Sequence, residues 1–434
     1  MSQIGLERIG ATSGKAVTTV ERAGAVLILA TVVFGTFFPP ESYFAARSFA
    51  LDGLPAGAEQ GPNYGRWGYA IVLAWFAFLA LRAPHVFVEG LRRGGLPILF
   101  GVMALASALW APDMMGSANR SLRLLILIVF ALYLVARFSD RDIVELLSAA
   151  LGLSLAASVV AVMAMPQYGL SALAGYEGAW NGALAHKNTL GALMSTGAVI
   201  AVFAFATAAT SRLAALALVL ACVALTLLSR SATALIALLV AVPIGLGLAW
   251  IASLRRSEDR FVASVICILP GAALAYGVVE GSDVMLAAIG RSESFTGRDL
   301  IWSAVWSAIQ ERPWLGYGHT FWSYDSPLRS TLWQQLGWAP PHAHHLGLDL
   351  WLQLGLAGLG VAGATVAVSL WRGARLLYGR ITPFGLLWLV LLLQMLVRGL
   401  TETTLVEPGV TGMFWLSLIH AALARQVERA RRAG

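Results

Sequence analysis

Long apolar runs, each closed by one or two charged or polar residues, fill most of the 434-residue chain. A membrane-spanning helix needs about 20 mainly apolar residues. That ruler marks spans at 23–38, 67–81, 96–110, 122–136, 143–165, 189–208, 213–228, 232–254, 261–279, 346–370, 384–397 and 409–424. The pattern predicts an all-α polytopic membrane protein of about 12 transmembrane helices, forming one integral membrane domain over residues 1–434. One stretch breaks the pattern. Residues 280–345 are polar, and a loop of that length is more than a connector. Inside it Ile301, Val305 and Ile309 recur every fourth residue, with Trp302 and Trp306 as a second strip, which predicts a short helix over 300–310 stopped by Pro313. Its aromatic residues, Trp302, Trp306, Trp314, Phe321, Trp322 and Trp333 among them, suit a helix lying at the level of lipid headgroups.

Composition sharpens this picture. The chain is 58% hydrophobic and 12% charged, whereas a soluble domain carries roughly 25% charged residues. The net charge of +7 comes almost wholly from arginine, since Lys15 and Lys187 are the lysines. The arginines are spread over short loops without a basic stripe, so nucleic acid is not an expected partner. With the N-terminus in the cytoplasm, 19 of the 30 Lys and Arg residues fall on the cytoplasmic side and 11 on the other. Much of the smaller group sits in the long loop, which the positive-inside rule discounts. The expected orientation is therefore both termini inside and the 280–345 loop outside. Cys222 and Cys267 lie within apolar runs and read as small buried hydrophobes. The first apolar run extends through Phe38 with no small-residue cleavage site, and is read as a retained span.

This topology puts several ionisable residues on one side: His186, Lys187, Arg230, Arg298, the cluster His342-Ala343-His344-His345, Arg398 and Glu402. Ionisable groups near membrane depth are expensive and usually functional. Histidine titrates near neutrality and suits general-base work. Pro340-Pro341 would hold the chain extended until the next helix starts, presenting the imidazoles at its N-terminal end. The competing readings of the cluster are a solvated interfacial loop and a metal site; Asp349 is the one acidic residue adjoining it. Arg230 lies in Ser229-Arg230-Ser231-Ala232-Thr233 between two apolar spans, and Arg298 in Thr296-Gly297-Arg298 before the loop helix. Guanidinium forks match phosphate oxygens; the bland alternatives are snorkelling for Arg230 and an ion pair with Asp299 or Glu293 for Arg298. Lys187, in His186-Lys187-Asn188, could add a phosphate contact or serve as an interface anchor, and Asn188 could cap the helix that follows. Arg398 and Glu402 stand four apart, a spacing that allows a structural ion pair. Asp349 could orient a histidine or satisfy a neighbouring helix.

Taken in order, His186-Lys187-Asn188, Ser229-Arg230-Ser231-Ala232-Thr233, Thr296-Gly297-Arg298 with Trp302, Glu311-Arg312-Pro313-Trp314-Leu315-Gly316-Tyr317-Gly318, and His342-Ala343-His344-His345 with the helix through Gly358 resemble the O-antigen ligase and polymerase superfamily. The flavour is that of the exopolysaccharide polymerase branch, and the likeness runs from about Trp180 to Gly358. It implies inverting glycosyl transfer in the bacterial inner membrane, on the periplasmic face. The donor would be a glycan on undecaprenyl diphosphate, with no cofactor and no metal. The acceptor would be another lipid-linked repeat (a polymerase) or lipid A–core (a ligase), and a chain-length regulator is a possible partner. By the match, His344 takes the acceptor's proton, with His342 the second choice. Arg230 and Arg298 hold the diphosphate with Lys187 and His186. His345, Asp349, Arg398 and Glu402 support the site. His345 departs from the family, which commonly has Asn after the histidine, and this leaves the identity of the base open. A transporter or lipid flippase is the alternative of another class; it would favour polar groups near the bilayer midplane and discontinuous helices.

Overall fold

A computed structural model describes residues 17–36, 72–75, 77–79, 81–172, 176–184, 186–267, 296–319, 321–323, 327–336, 340, 342–400, 402 and 412–433. Residues 67–71, 76 and 80 of the predicted span at 67–81, residues 268–279 of that at 261–279, the first outer loop at 39–66 and the loop start at 280–295 lie outside these residues. Among the described residues every regular element is helical. They are α1 (Thr19–Ile28), α2 (Pro84–Arg93), α3 (Gly95–Ala106), α4 (Met114–Arg137), α5 (Asp140–Ala164), α6 (Lys187–Ala206), α7 (Arg212–Leu228), α8 (Ala232–Ser253), α9 (Thr296–Glu311), α10 (Pro327–Leu336), α11 (Leu346–Tyr378), α12 (Pro383–Gly399) and α13 (Gly412–Ala433).

The polar residues between apolar runs set where these helices begin. A helix start leaves backbone N–H groups without partners, and a short polar side chain can take one. Asp113 accepts from Gly116 N ahead of α4, Ser139 forms a capping box with Asp142 at α5, and Ser211, Ser231 and Thr382 cap α7, α8 and α12. Two caps are less ordinary: His186 begins α6 and His345 begins α11, each accepting through its ring.

By length and composition α4, α5, α6, α8 and α11 can each cross a membrane, and the bent pair Val72–Leu79 and Pro84–Arg93 could add a sixth span. Gly95–Leu109, α7 and α12 are apolar but shorter. This is a multi-pass helical membrane architecture. Apolar faces turned outward agree with a lipid environment: on α8 Leu239, Val242 and Leu246 are more than half exposed.

α13 departs from a plain span. It is buried from Met413 through Val427, packed against α4, α11 and α12, and it carries polar side chains inward. His420 meets Ser369 at 2.9 Å and Arg372 at 2.9 Å. At its far end Arg425, Gln426 and Arg429 converge on the buried Asp140, which also accepts from Trp388 Nε1. Burying a charge is tolerable only with such complete pairing. This ionic lock sits at the α5-start end of the bundle, opposite the end where α6, α8 and α11 begin.

The described part of the long loop is folded. Its helix α9 covers the predicted 300–310 stretch and ends before Pro313. Ile301, Val305, Ala308, Ile309, Tyr317, Phe321, Trp322 and Leu332 form a hydrophobic cluster of their own together with Ala343 and Leu352. The aromatic residues therefore divide: Trp322 and Trp333 are buried in the loop, whereas Trp306 and Trp314 remain exposed.

Candidate active site

At the end of the bundle where α6, α8 and α11 start and α7 and α12 stop, three chain segments meet. The first is the lead into α6. His186 Nδ1 accepts from Asn188 N at 3.1 Å, capping the helix. Lys187 is buried, with Nζ 3.5 Å from the centre of the Tyr176 ring and 3.4 Å from Asn188 Oδ1. Asn188 then extends its Nδ2 to Glu402 Oε1 at 3.4 Å.

The second segment is the histidine turn. The His342 and His344 rings lie against each other, tilted by 55° with centroids 3.9 Å apart. Glu402 Oε2 lies 3.7 Å from His342 Nε2 and 3.7 Å from His344 Nδ1. His344 has φ 50°, a left-handed conformation rare for a residue with a side chain. Such strain persists only where surroundings hold it, and those surroundings are specific. Asp349, fully buried in the first turn of α11, accepts from Ala343 N (3.0 Å), Trp322 Nε1 (2.7 Å) and Gln353 Nε2 (2.7 Å). Trp302 Nε1 donates to Ala343 O at 3.0 Å and its ring meets His345 edge-on. His345 itself caps α11 by accepting from Leu348 N at 3.2 Å. Asp349 thus takes neither role the sequence offered: it holds the backbone of the histidine turn through Ala343 N.

Beneath the turn α11 is broken. Gly355 has φ 66° and ψ −170°. A break frees backbone groups on both sides, and these are expensive to leave bare at membrane depth. The segment Pro313-Trp314-Leu315-Gly316-Tyr317-Gly318 satisfies them. Leu356 N and Ala357 N donate to Pro313 O and Trp314 O, while Tyr317 N and Gly318 N donate to Leu352 O and Gln353 O. The approach is too close for side chains: a Cβ on Gly355 would lie 2.2 Å from the Trp314 carbonyl, and one on Gly316 would lie 2.6 Å from that of Gln353. Unlike the solute-holding helix breaks of transporters, this discontinuity is filled by the protein's own loop.

The third segment is the α7–α8 turn. Arg230 has φ 49° and donates from Nη1 to Glu177 O at 3.3 Å. Its neighbours Ser229 and Ser231 pack on Gly191 in the first turn of α6, where a Cβ would come within 2.7 Å of Ser229 Oγ. Arg230 and Lys187 thus share one stretch, Tyr176-Glu177, as a contact. Arg298 stands one turn before Trp302 on α9; its side chain lies outside the described residues.

Arg398 and Glu402, four apart in sequence, take different side-chain hydrogen-bond partners. Arg398 Nη1 donates to Ala192 O (3.3 Å) and Thr196 Oγ1 (3.2 Å), tying α12 to α6. Helix α12 ends at Gly399, and although Glu402 N still donates to Arg398 O at 2.9 Å, its carboxylate turns to the histidines and Asn188. Trp322 escaped the sequence reading as a partner of Asp349, being 27 positions away; Gln353, at i+4 on the same helix, carried a signal that could have been read.

Electrostatics follow burial. His186 is pushed down to about 4 by burial first and by Lys187 second, with Glu402 opposing, so its imidazole is neutral at physiological pH. Burial likewise lowers His345. The ring nitrogens have assignable roles. His186, His342 and His345 each use Nδ1 to accept a backbone N–H, from Asn188, His344 and Leu348. This assigns the proton of each neutral ring to Nε2. His342, His344 and Glu402 bring three possible metal-ligand atoms within 4.8 Å of one another. The polarity at His342 does not fit ligation, however. A metal on Nε2 requires a proton on Nδ1, where the His344 N–H already points.

A multi-pass helical membrane protein that gathers imidazoles, a carboxylate and a buried lysine at one end has the parts for proton transfer beside the lipid. Comparison with known proteins narrows the class. Residues 197–363 match the model of the O-antigen ligase family. The chain is also 26% identical over 195 residues to the exopolysaccharide production protein ExoQ of Rhizobium meliloti (strain 1021), a match covering 43% of this chain and 44% of that protein. The chain thus spans less than half the length of that curated relative. The two matches support the O-antigen ligase and polymerase superfamily, on its exopolysaccharide branch. The family match includes Arg230, Arg298, the histidine turn and Gly355, and stops short of Glu402.

Proposed function

We propose that the protein transfers a glycan from undecaprenyl diphosphate to an acceptor hydroxyl, with inversion, and so polymerises repeat units of a surface polysaccharide. The observation that carries this reading is the closely apposed His342–His344 pair facing Glu402 beside a family-matched segment. His344 is the base. His342 has Nδ1 already filled by a backbone N–H and Nε2 carrying its proton, so it has no site for another without losing that bond. The acceptor oxygen attacks the anomeric carbon, the carbon–oxygen bond to phosphate breaks, and its electron pair leaves with the diphosphate. Arg230, Arg298, Lys187 and His186 form the diphosphate side, the cations offsetting the charge that develops on the leaving group and the neutral His186 offering its Nε2–H. No metal takes part. The site faces the periplasm across the bacterial inner membrane, in a frame of about 12 spans with residues 280–345 outside.

Lipid A–core as acceptor would make the same chemistry a ligation; the exopolysaccharide relative favours polymerisation. The test uses purified protein in liposomes with an undecaprenyl-diphosphate-linked oligosaccharide. A ladder of longer lipid-linked products is expected. Transfer only when lipid A–core is supplied would convert the assignment to a ligase, and absence of transfer to either acceptor would overturn it.

A further inference from the structure

We propose that Glu402 is a positioning residue for the base: its carboxylate orients the His344 imidazole and offsets the positive charge that ring gains in the reaction. This rests on the reading of His344 as proton acceptor. Glu402 lies outside the family-matched segment, and the turn of its carboxylate toward His342 and His344 is what reveals the role.

Four observations carry it. Glu402 Oε2 stands at equal distance, 3.7 Å, from His342 Nε2 and His344 Nδ1. That is longer than a hydrogen bond, as is common at acid–base sites before substrate tightens them. The carboxylate is held from one other side, where Asn188 Nδ2 donates to Oε1 at 3.4 Å, and the backbone of Glu402 is tied to α12 by its N–H donating to Arg398 O at 2.9 Å. Asn188 is itself fixed by Lys187 on its carbonyl side, so a cation, an amide and a carboxylate stand in line. Finally, His342 presents Nε2–H to the same oxygen that faces His344. A carboxylate at Nδ1 favours the tautomer with the proton there, leaving His344 Nε2 as the nitrogen that receives the acceptor's proton.

The step balances. The acceptor O–H loses its proton to His344 Nε2 as its oxygen bonds to the anomeric carbon, and the diphosphate departs with the bonding pair. The ring becomes cationic beside Glu402 and returns its proton to solvent or to the leaving diphosphate. Among the described residues, the titratable and charged groups around it are His342 on its own turn, Asp349 on α11, His186 and Lys187 at the start of α6, and Glu402 with Arg398 at the end of α12. Glu402 is the carboxylate nearest the ring, since the Asp349 oxygens are taken by Ala343, Trp322 and Gln353.

The experiment measures the pH dependence of transfer in liposomes for wild type, Glu402→Gln, Glu402→Asp and His344→Ala. An opposite charge at this range moves a titration by about one unit or more. Glu402→Gln should therefore shift the acid limb of kcat/KM down by about one unit, lower kcat and leave KM for the lipid-linked donor unchanged. Glu402→Asp should keep the limb near its wild-type position. If Glu402→Gln does not fold, Glu402→Asp carries the test through kcat: retreat of the charge by one methylene should lower it at constant KM, and an unchanged kcat overturns the proposal. A wild-type profile for Glu402→Gln beside an inactive His344→Ala overturns this inference alone; a fully active His344→Ala overturns the reading beneath it.

Discussion

His186 shows how one residue serves both fold and site. Its ring caps α6 through Nδ1, which works only while the imidazole is neutral. Burial beside Lys187 keeps it so, holding its titration at about 4 against an ordinary 6.5. Between these values the unfolded chain binds a proton that the native chain refuses. Stability from this residue is therefore complete above the ordinary value and declines as pH falls toward the native one. The melting temperature in detergent should drop between pH 7 and 5, and His186→Asn, which can still cap, should flatten that slope. An unaltered slope would show that His186 does not titrate as described. The histidine cluster illustrates what residue types reveal and what they hide. The sequence shows three imidazoles in four positions, a good sign of proton chemistry. Which ring can act is a matter of hydrogen-bond polarity, and that depends on a φ of 50° at His344 that no residue type announces.

At the scale of elements, the decisive feature is the break in α11. A periodic apolar pattern runs through Gly355 without a sign of interruption, so the predicted span at 346–370 reads as one helix. The break is legible only jointly, as two distant glycine-containing segments whose backbones exchange four hydrogen bonds. The loop motif Pro313-Trp314-Leu315-Gly316-Tyr317-Gly318 is thereby explained: its carbonyls and amides replace the missing helical partners, and Gly316 and Gly355 permit the approach. This clamp, with Asp349 above it, sets the height of the histidine turn. Gly355→Ala places a methyl group 2.2 Å from a carbonyl in a left-handed conformation. Strain of that kind costs about 1–3 kcal/mol before the clash is counted. The expected outcome is a lower melting temperature and a fall in kcat larger than any change in KM. The neighbouring Gly360→Ala, with open space around its Cβ, should leave both unchanged. Equal behaviour of the two variants would count against the clamp.

For the whole molecule, composition and apolar run length were enough to expect a helical membrane protein, because lipid admits few other structures. The number of spans is harder to read: α7 and α12 are short, and α13 has a polar, buried interior that mimics neither a lipid-facing nor a soluble helix. Its inward polar groups match partners on α5, α11 and α12, which a one-dimensional pattern cannot show. The Lys and Arg distribution predicts both termini in the cytoplasm and the histidine turn outside. Single cysteines in a variant lacking Cys222 and Cys267, one at Ser307 and one at Arg432, should react with an impermeant reagent from opposite sides of oriented vesicles. Labelling from the same side would contradict the orientation. The same end of the bundle gathers His186, Arg230, the histidine turn and Glu402, whereas the opposite end holds the Asp140 lock. The division suggests a rigid base on one side and a reactive face on the other.

The most direct test of proton transfer at the histidine turn compares His344→Ala with His342→Ala, each reconstituted with lipid-diphosphate-linked oligosaccharide. Loss of a general base lowers turnover by about 10²- to 10⁴-fold. That loss is predicted for His344→Ala, with donor binding intact and a smaller defect for His342→Ala. Near-normal turnover by His344→Ala would contradict the account.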